Sequence, residues 1–197
     1  MSDSPMLEVK NISFSINQNR LFQNLSFDLF KGQAIHVKGA NGSGKSSLLR
    51  ILLGISSPSK GDIIWHNASK KVFLGHKNVL KNYLTVADNL HLHGLDAAHP
   101  EVKSMLQDLN LHNKTELLVG NLSYGQQKKL ALVRIFLNTS DVIILDEPCV
   151  GLDDQTRKLI TSFLSSELNK NKSIIYTSHI PLELSSLSLI HISEPTR

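Results

Sequence analysis

This sequence contains almost no cysteine, no long apolar run and no N-terminal segment typical of a signal peptide. Cys149 is the single cysteine among 197 residues, so an internal disulfide cannot form and a reducing compartment is expected. No stretch approaches the run of about 20 apolar residues that a spanning helix needs. Residues 1–5 lack the basic and apolar segments of a secretory signal. We therefore expect any membrane role to come through a partner protein.

Aromatic residues are also scarce, and they do not alternate with basic ones. They make up 6% of the chain, whose formal net charge is +4 at pH 7. A positive charge can indicate nucleic acid or an anionic membrane surface as a partner. Because Lys and Arg are scattered, we expect no nucleic-acid partner and a mildly basic peripheral protein. His91, His93 and His99 lack accompanying cysteines and ligand spacing, so we expect surface positions for them rather than a metal site.

Short strands alternate with helices along most of the chain. Apolar and polar residues alternate over 7–16 and 25–29, around a polar turn at 17–20, which predicts half-buried antiparallel strands. Buried strands that alternate with helices favour an α/β fold with a parallel sheet covered on both faces. The further predicted strands are 34–37, 63–65, 71–74, 142–145 and 173–177, of which 142–145 is expected to be fully buried, and the predicted helices are 46–53, 126–138 and 155–170.

Helical character interrupts this alternation between residues 84 and 121. We interpret the interruption as a helical subdomain inserted into a single domain that spans residues 1–186. Its predicted core contacts are Val86, Leu90, Leu92, Leu106, Leu109 and Leu111.

A glycine-rich loop follows the strand at 34–37. The segment from Gly39 to Ser46 fits the pattern of Gly, four residues, and Gly-Lys-Ser, which is a P-loop. The glycines let backbone N–H groups point at phosphate oxygens, and the following helix adds its positive N-terminal end. Lys45 can reach the β- and γ-phosphates, and the Ser46 hydroxyl can ligate Mg²⁺. The candidate phosphate-binding residues are Gly39, Ala40, Asn41, Gly42, Ser43, Gly44, Lys45, Ser46 and Ser47.

A second acidic motif lies at the end of the buried strand at 142–145. That strand delivers Asp146 to its carboxyl end, where ligands of open α/β sheets bind. Asp146 can hold the Mg²⁺ shell, and Glu147 can polarise the attacking water as general base. Such a motif is common by itself, and the preceding P-loop makes it specific.

The segment Leu122-Ser123-Tyr124-Gly125-Gln126 precedes the helix that leads into the Asp146 strand. Here the sequence resembles the ABC ATPase superfamily, whose signature is Leu-Ser-Gly-Gly-Gln at that location. The resemblance implies a P-loop ABC-type nucleotide-binding domain, with Ser123, Gly125 and Gln126 directed at a nucleotide held by the opposite subunit. A helix N-cap by Ser123 is an alternative that is physically compatible with this role.

The resemblance covers nearly the whole chain. Gly151-Leu152-Asp153 matches the D-loop, which implies that Asp153 lies at the dimer interface. His179 follows a strand and matches the switch histidine that contacts the γ-phosphate. The implied catalytic residues are therefore Lys45, Glu147 and His179.

Two positions depart from the superfamily pattern. Lys77 stands where a Gln offers its side chain to Mg²⁺ and to the membrane partner, and a charged Lys cannot ligate a metal. The aromatic residue that stacks on adenine has no clear match: Ile16 lies near that position, and Phe22 is a second, weaker candidate for it. We expect adenine to be held by apolar contact.

The chain holds one P-loop and one signature, so the superfamily mechanism implies a two-fold dimer of two copies. ATP and Mg²⁺ would lie between the P-loop of one copy and the signature of the other. The groove around Lys77 would couple the dimer to integral membrane permease subunits.

Within the superfamily, the chain is similar to the CcmA family, the ATP-binding subunits of the haem exporter of cytochrome c maturation. Leu74-Gly75-His76 and the run from Gly125 to Arg134 carry this similarity. It implies a peripheral protein on the cytoplasmic face of the bacterial inner membrane. An ATPase subunit for another cargo (metal, drug or lipid) would keep every motif, and it remains the alternative. A ribosome- or DNA-directed ABC ATPase would carry two cassettes or a long coiled coil.

The last eleven residues, 187–197, match the translation of a common transposon-type sequencing adapter. We hypothesise that this tail is not native, and we leave it out of the functional argument.

Overall fold

A computed structural model describes residues 4–17, 19–66, 69–179 and 181–192. The strands are β1 (Leu7–Ile16), β2 (Asn19–Leu29), β3 (Ala34–Lys38), β4 (Lys60–Trp65), β5 (Lys71–Leu74), β6 (Val142–Asp146), β7 (Ser173–Thr177) and β8 (Leu187–His191). The helices are α1 (Lys45–Leu52), α2 (Val86–Leu92), α3 (Pro100–Asp108), α4 (Tyr124–Phe136) and α5 (Asp154–Asn169), with a 3₁₀ turn at Val119–Asn121.

The N-terminal strands form an antiparallel sheet in the order β2-β1-β4. Strand β2 begins at Asn19, so it takes in part of the predicted turn and is longer than the alternation over 25–29 indicated. Asn19 already pairs with Ile16 and Arg20 with Ser15, so the pairing of β2 with β1 starts at Asn19. The sheet buries Leu7 and Val9 against the rest of the protein, since alternate residues share one face, and a register shift between Val9 and Ile12 buries Ile12 as well.

The second sheet has the order β5-β6-β7-β3-β8, and its pairs are parallel. Successive side chains of β6 enter opposite cores: Ile143 packs with the helices α4 and α5, and Ile144 packs with α1 and the antiparallel sheet. Burial on both faces explains why β6 and β7 are continuous apolar runs. The predicted α/β fold with a covered parallel sheet and N-terminal antiparallel strands is confirmed.

The region between β5 and α4 contains α2 and α3. A reciprocal capping box between Thr85 and Asp88 starts α2, which explains why the helix begins there. Val86, Leu90, Leu106, Leu109 and Leu111 are buried as predicted. The expectation for Leu92 is wrong, because its side chain is 58% exposed. Leu92 lies two residues beyond Leu90 and therefore faces the opposite side of the helix. The subdomain boundaries themselves stay a prediction.

Residues 187–192 of the proposed adapter-derived tail lie in the parallel sheet. Strand β8 pairs with β3 from Ala34↔Leu187 to Lys38↔His191, and the Ile192 amide donates to the Lys38 carbonyl. Residues 193–197 of the tail lie outside the described residues. The adapter hypothesis stays a prediction, since an alternating apolar segment can complete a sheet edge whatever its origin.

Within the described part of the chain, no helix has the length and apolar character to cross a membrane.

Candidate nucleotide site

The loop between β3 and α1 turns sharply at two glycines. Gly42 and Gly44 have φ values of +83° and +98°, which side chains other than glycine rarely adopt. A Cβ atom on Gly44 would also lie 3.0 Å from the Leu21 Cβ. The loop can therefore curl against the antiparallel sheet and present its backbone N–H groups at the start of α1.

Lys45 is the first residue of α1, and its side chain folds back over the loop. Its Nζ donates to the carbonyls of Gly39 at 2.8 Å and Ala40 at 3.0 Å, and the residue is only 8% exposed. Ser43 is buried inside the loop, and its Oγ has no hydrogen-bond partner among the described atoms. A buried cation and an unpaired hydroxyl around exposed loop backbone suit an anionic ligand.

The two predicted acidic residues lie at the carboxyl end of β6 and depend on β7. The Thr177 hydroxyl donates to Asp146 Oδ1 at 2.7 Å, and Thr177 Oγ1 accepts from the Glu147 amide at 2.9 Å. Glu147 has a φ of +51°, a strained conformation for a non-glycine residue. Thr177 therefore holds the Asp146 carboxylate and the Glu147 backbone in place through one hydroxyl.

His179 faces Glu147 across this edge of the sheet. Its Nε2 lies 3.5 Å from Glu147 Oε1, and the histidine side chain is 56% exposed while that of Glu147 is 12% exposed. The same Glu147 oxygen is buried without a hydrogen-bond partner in the described structure. A carboxylate with a free buried lone pair next to a histidine can receive a proton or orient a water molecule.

These groups surround a cavity of about 700 Å³. Ser46 and Asp146 contribute a hydroxyl and a carboxylate oxygen to it, which are the ligands that Mg²⁺ prefers. The donor set and the glycine loop thus fit a magnesium–triphosphate group. The lining residues at this end are Asn41, Gly42, Gly44, Lys45, Ser46, Ser47, His76, Asp146, Glu147 and His179.

The other end of the cavity is formed by the turn between β1 and β2. Ile16 and Leu21 line it together with the amide side chains of Asn17 and Asn19. Phe22 does not line the cavity, because it is 3% exposed and stacks on Phe14 with ring centroids 6.1 Å apart. Of the two candidates for the adenine end, the structure places Ile16 at the cavity and Phe22 in the core.

The signature residues lie apart from this cavity, at the start of α4. Ser123 caps α4 by accepting from the Gln126 amide at 3.3 Å, and the Gln126 side chain accepts from the Ser123 amide at 3.0 Å. Gly125 packs against the loop before α5, where an added Cβ would lie 2.8 Å from the Gly151 carbonyl. The capping role considered for Ser123 is confirmed, and none of Ser123, Gly125 and Gln126 lines the cavity of its own chain.

Asp153 also lies outside the cavity, at the start of α5. Its carboxylate accepts from the Thr156 amide at 2.8 Å and pairs with Lys129 Nζ at 2.6 Å. The hydrogen bonds from Lys129 and Thr156 hold the pKa of the Asp153 carboxyl well below its usual value. Asp153 thus joins α5 to α4, and its expected position at a dimer interface stays a prediction.

Sequence reasoning missed two residues of the site. His76 lines the cavity, whereas Lys77 lines a separate groove with Tyr124 and Gln127. Thr177 was predicted only as part of a strand, and no functional role was expected for it. The signal for His76 was its position just after β5, because β5 pairs in parallel with β6 and their carboxyl ends share an edge.

Comparisons with known proteins agree with this geometry. The family described as "ABC transporter" matches residues 22–150. The cytochrome c biogenesis ATP-binding export protein CcmA of Tatumella citrea is 33% identical over 184 residues, which cover 88% of each chain. The protein of the same name from Nitrosomonas europaea is 33% identical over 201 residues, covering 95% of this chain and 94% of the relative.

A solved structure shares the fold. It is a dimeric ATP-binding cassette in a post-hydrolysis state, bound to ADP and Pi. Its TM-score is 0.74 at 21% identity, and the match covers 89% of this chain and 88% of that one.

Proposed function

The chain belongs to the ABC transporter family as an ATP-binding subunit, and on this premise we propose that it hydrolyses ATP to drive the haem exporter of cytochrome c maturation. The observation that carries the proposal is the cavity that joins the glycine loop and Lys45 to Asp146, Glu147 and His179. This cavity can bind a triphosphate and hold a water molecule beside it.

The glycine loop and Lys45 bind the phosphate chain in this proposal. Lys45 Nζ exchanges its present carbonyl partners for phosphate oxygens, which form stronger charge-assisted hydrogen bonds. Backbone N–H groups from Gly39 to Ser47 and the N-terminus of α1 add to the attraction. Ser46 and Asp146 would hold Mg²⁺, which supplies charge neutralisation between the phosphates.

Glu147 acts as the general base. Its buried, unpaired Oε1 accepts a proton from a water molecule whose oxygen attacks the γ-phosphorus, while the bond to the ADP oxygen breaks. His179 lies beside Glu147 and reaches toward the γ-phosphate end of the cavity. The strained backbone of Glu147 is held by Thr177, which supports a functional reason for that conformation.

The site is completed by a second copy of the chain. Ser123, Gly125, Gln126 and Asp153 do not line the cavity, although the family signature assigns them to nucleotide contact or the dimer interface. In a two-fold dimer, the start of α4 from one copy closes the cavity of the other. Hydrolysis removes the bridging γ-phosphate and lets the dimer open, which can move a membrane partner.

The haem exporter is favoured over other cargoes by the relatives named as cytochrome c biogenesis export proteins, which match most of this chain. We propose that the chain binds integral permease subunits from the cytoplasmic face of the bacterial inner membrane. The groove that contains Lys77, Val79 and Tyr124 would be the contact surface.

The test is to co-express the chain with the membrane proteins of its own gene cluster, purify it in detergent and measure phosphate release with Mg-ATP. We expect permease subunits to co-purify and haem-exporter components to be among them. Copurification with a metal, drug or lipid permease would favour the alternative cargo, and no phosphate release in any complex would refute ATP hydrolysis.

The Glu147→Gln variant tests the role of Glu147 as general base in the same assay. We expect it to keep ATP affinity and to lower turnover by about 10²- to 10⁴-fold, the usual contribution of a general base. Glu116→Gln, on the surface of the helical region, is the control and should hydrolyse ATP like the unmodified chain.

A further inference from the structure

His36 is a buried histidine in the middle of β3 that the proposed chemistry does not use. The residue is fully buried, and its Nε2 lies 2.8 Å from the carbonyl oxygen of Ser178. Its other ring nitrogen, Nδ1, is buried without a hydrogen-bond partner in the described structure. Ser178 immediately precedes His179, so this contact links β3 to the switch histidine.

The contact determines which tautomer His36 adopts. A carbonyl oxygen only accepts, so Nε2 must carry the proton and Nδ1 must be bare. A second proton would place a charge and an unpaired N–H in the core. Burial lowers the pKa of His36, Lys38 lowers it further, and the Ser178 carbonyl and Glu147 act in the opposite direction. The ring is therefore a neutral donor at physiological pH.

Tyr176 fixes the His36 ring from the neighbouring strand. The rings stack with centroids 4.5 Å apart and planes 6° apart, because the two residues are register partners in the parallel pair of β3 and β7. The Tyr176 hydroxyl accepts from the Leu182 amide at 3.2 Å. The two stacked rings thus contact the backbone on both sides of His179, His36 at Ser178 and Tyr176 at Leu182.

We propose that His36 is a positioning residue for the switch histidine. By holding the Ser178 carbonyl, it fixes the backbone from which the His179 side chain reaches Glu147. The inference rests on the proposed function, since it assumes that His179 acts in ATP hydrolysis. It assigns to β3, which also carries the glycine loop, a second role in the same reaction.

Two variants separate the hydrogen bond from the ring. His36→Phe keeps the stacked ring and loses the donor, whereas His36→Gln places an amide nitrogen at a similar reach and loses the stack. We expect His36→Phe to lower kcat by about three- to tenfold, the effect of losing one hydrogen bond. ATP affinity should stay within about twofold, and His36→Gln should recover most of the loss.

A merely structural role for the ring predicts the reverse order, with Phe tolerated and Gln damaging, and that result would overturn the proposal. His66→Phe is the matched control, because His66 bonds Glu8 in the antiparallel sheet and lies outside the nucleotide cavity. It should leave kcat unchanged.

Hydrogen exchange in the nucleotide-free protein tests the positioning without ATP. We expect the amide of His179, which follows the Ser178 carbonyl directly, to exchange faster in His36→Phe than in the unmodified chain and in His36→Gln. If the unmodified chain hydrolyses no ATP, the proposed function fails while this readout still tests His36. If the chain is active and His36→Phe matches it in both kcat and exchange, only the inference fails.

Should His36→Phe not fold, the ¹⁵N spectrum of the unmodified chain decides the question. We expect His36 to show the Nε2–H tautomer and to remain neutral at about pH 6.5, the pKa of an unperturbed histidine. An Nδ1–H tautomer or a charged ring would overturn the proposal.

Discussion

At the scale of single residues, two polar atoms near the phosphate end of the cavity have no hydrogen-bond partner in the described protein. Ser43 Oγ and Glu147 Oε1 are both buried without a hydrogen-bond partner. An unpaired buried polar group costs roughly 1–3 kcal/mol, so such groups are rare away from functional sites. Ser43 Oγ lies inside the glycine loop and Glu147 Oε1 at the cavity, so both are placed to suit a polar ligand.

Replacement of Lys45 by Ala should abolish measurable ATP binding. The change removes two or more charge-assisted hydrogen bonds of about 1.5–3 kcal/mol each, so affinity should fall by at least about a hundredfold. Titration with a fluorescent ATP analogue measures the loss. Lys60→Ala, on an exposed strand, is the control, and retained affinity in Lys45→Ala would refute the P-loop assignment.

Thr177→Val tests the hydroxyl that joins the two acidic residues. The change conserves volume but leaves Asp146 Oδ1 and the buried Glu147 amide without this partner, so we expect a loss of about 1–3 kcal/mol in the free energy of unfolding. Turnover should fall as well, because Glu147 loses its anchor. Urea unfolding and phosphate release measure the two effects.

Thr161→Val is the matched control for this variant, since the Thr161 hydroxyl bonds only the Arg157 carbonyl within α5 among the bonds described. Equal stability and turnover in the two variants would contradict the role of Thr177.

At the scale of elements, the site forms where strands end and helices begin. The carboxyl ends of β3, β6 and β7 share one edge of the parallel sheet, and they carry the glycine loop, the acidic pair and the switch histidine. Parallel pairing places these ends together, which is why residues more than a hundred positions apart meet. The starts of α4 and α5 present the remaining motif residues away from that edge.

Asp153→Asn tests the link between α4 and α5. Asp153 has a depressed pKa in the folded protein, so its ionised form stabilises the fold at neutral pH and the benefit disappears as pH falls below about 4, the unfolded pKa. Asn still caps a helix but cannot pair with Lys129. The unmodified chain should therefore be more stable than Asp153→Asn at pH 7 and lose that advantage in acid.

Denaturant unfolding at several pH values measures this difference. Asp154→Asn is the control, because the Asp154 side chain is 89% exposed and its pair with Arg157 is a surface pair. A stability gap for Asp153→Asn that persists unchanged in acid would be inconsistent with the ion pair as its cause.

At the scale of the whole molecule, one chain contains a nucleotide cavity and signature residues that lie apart from that cavity. Under the proposed function, the two halves of the site meet only between two copies of the chain. ATP therefore becomes part of the interface, and the association of the chain should depend on the nucleotide.

Glu147→Gln with Mg-ATP should form a dimer of about twice the monomer mass, because ATP binds and is not hydrolysed. Light scattering after gel filtration measures the mass. Adding Ser123→Arg should prevent the dimer without changing ATP binding to the monomer, since Ser123 lies on the surface outside the cavity of its own chain. A dimer that forms without ATP and also forms in the Ser123→Arg variant would rule out the nucleotide-dependent interface.

Much of this molecule followed from the order of its residues alone. Periodicity and motif spacing predicted the parallel sheet, the glycine loop at the end of β3 and the acidic pair at the end of β6, because these features depend on local pattern and chain order. Leu92 was misassigned because a helix buries one face, and the sequence does not say which partner covers a short helix.

The tertiary structure alone decided which side chains meet across strands. Thr177 and His36 carry no motif, and the motif that contains His76 assigned it no site role. The positions of all three arise from the pairing order β5-β6-β7-β3, which no local pattern encodes. Likewise, Phe22 went to the core and Ile16 to the cavity because the turn before β2 sets which face of the strand is buried. Motifs made of neighbouring residues can be recognised in the sequence, whereas contacts between distant residues exist only once the sheet has formed.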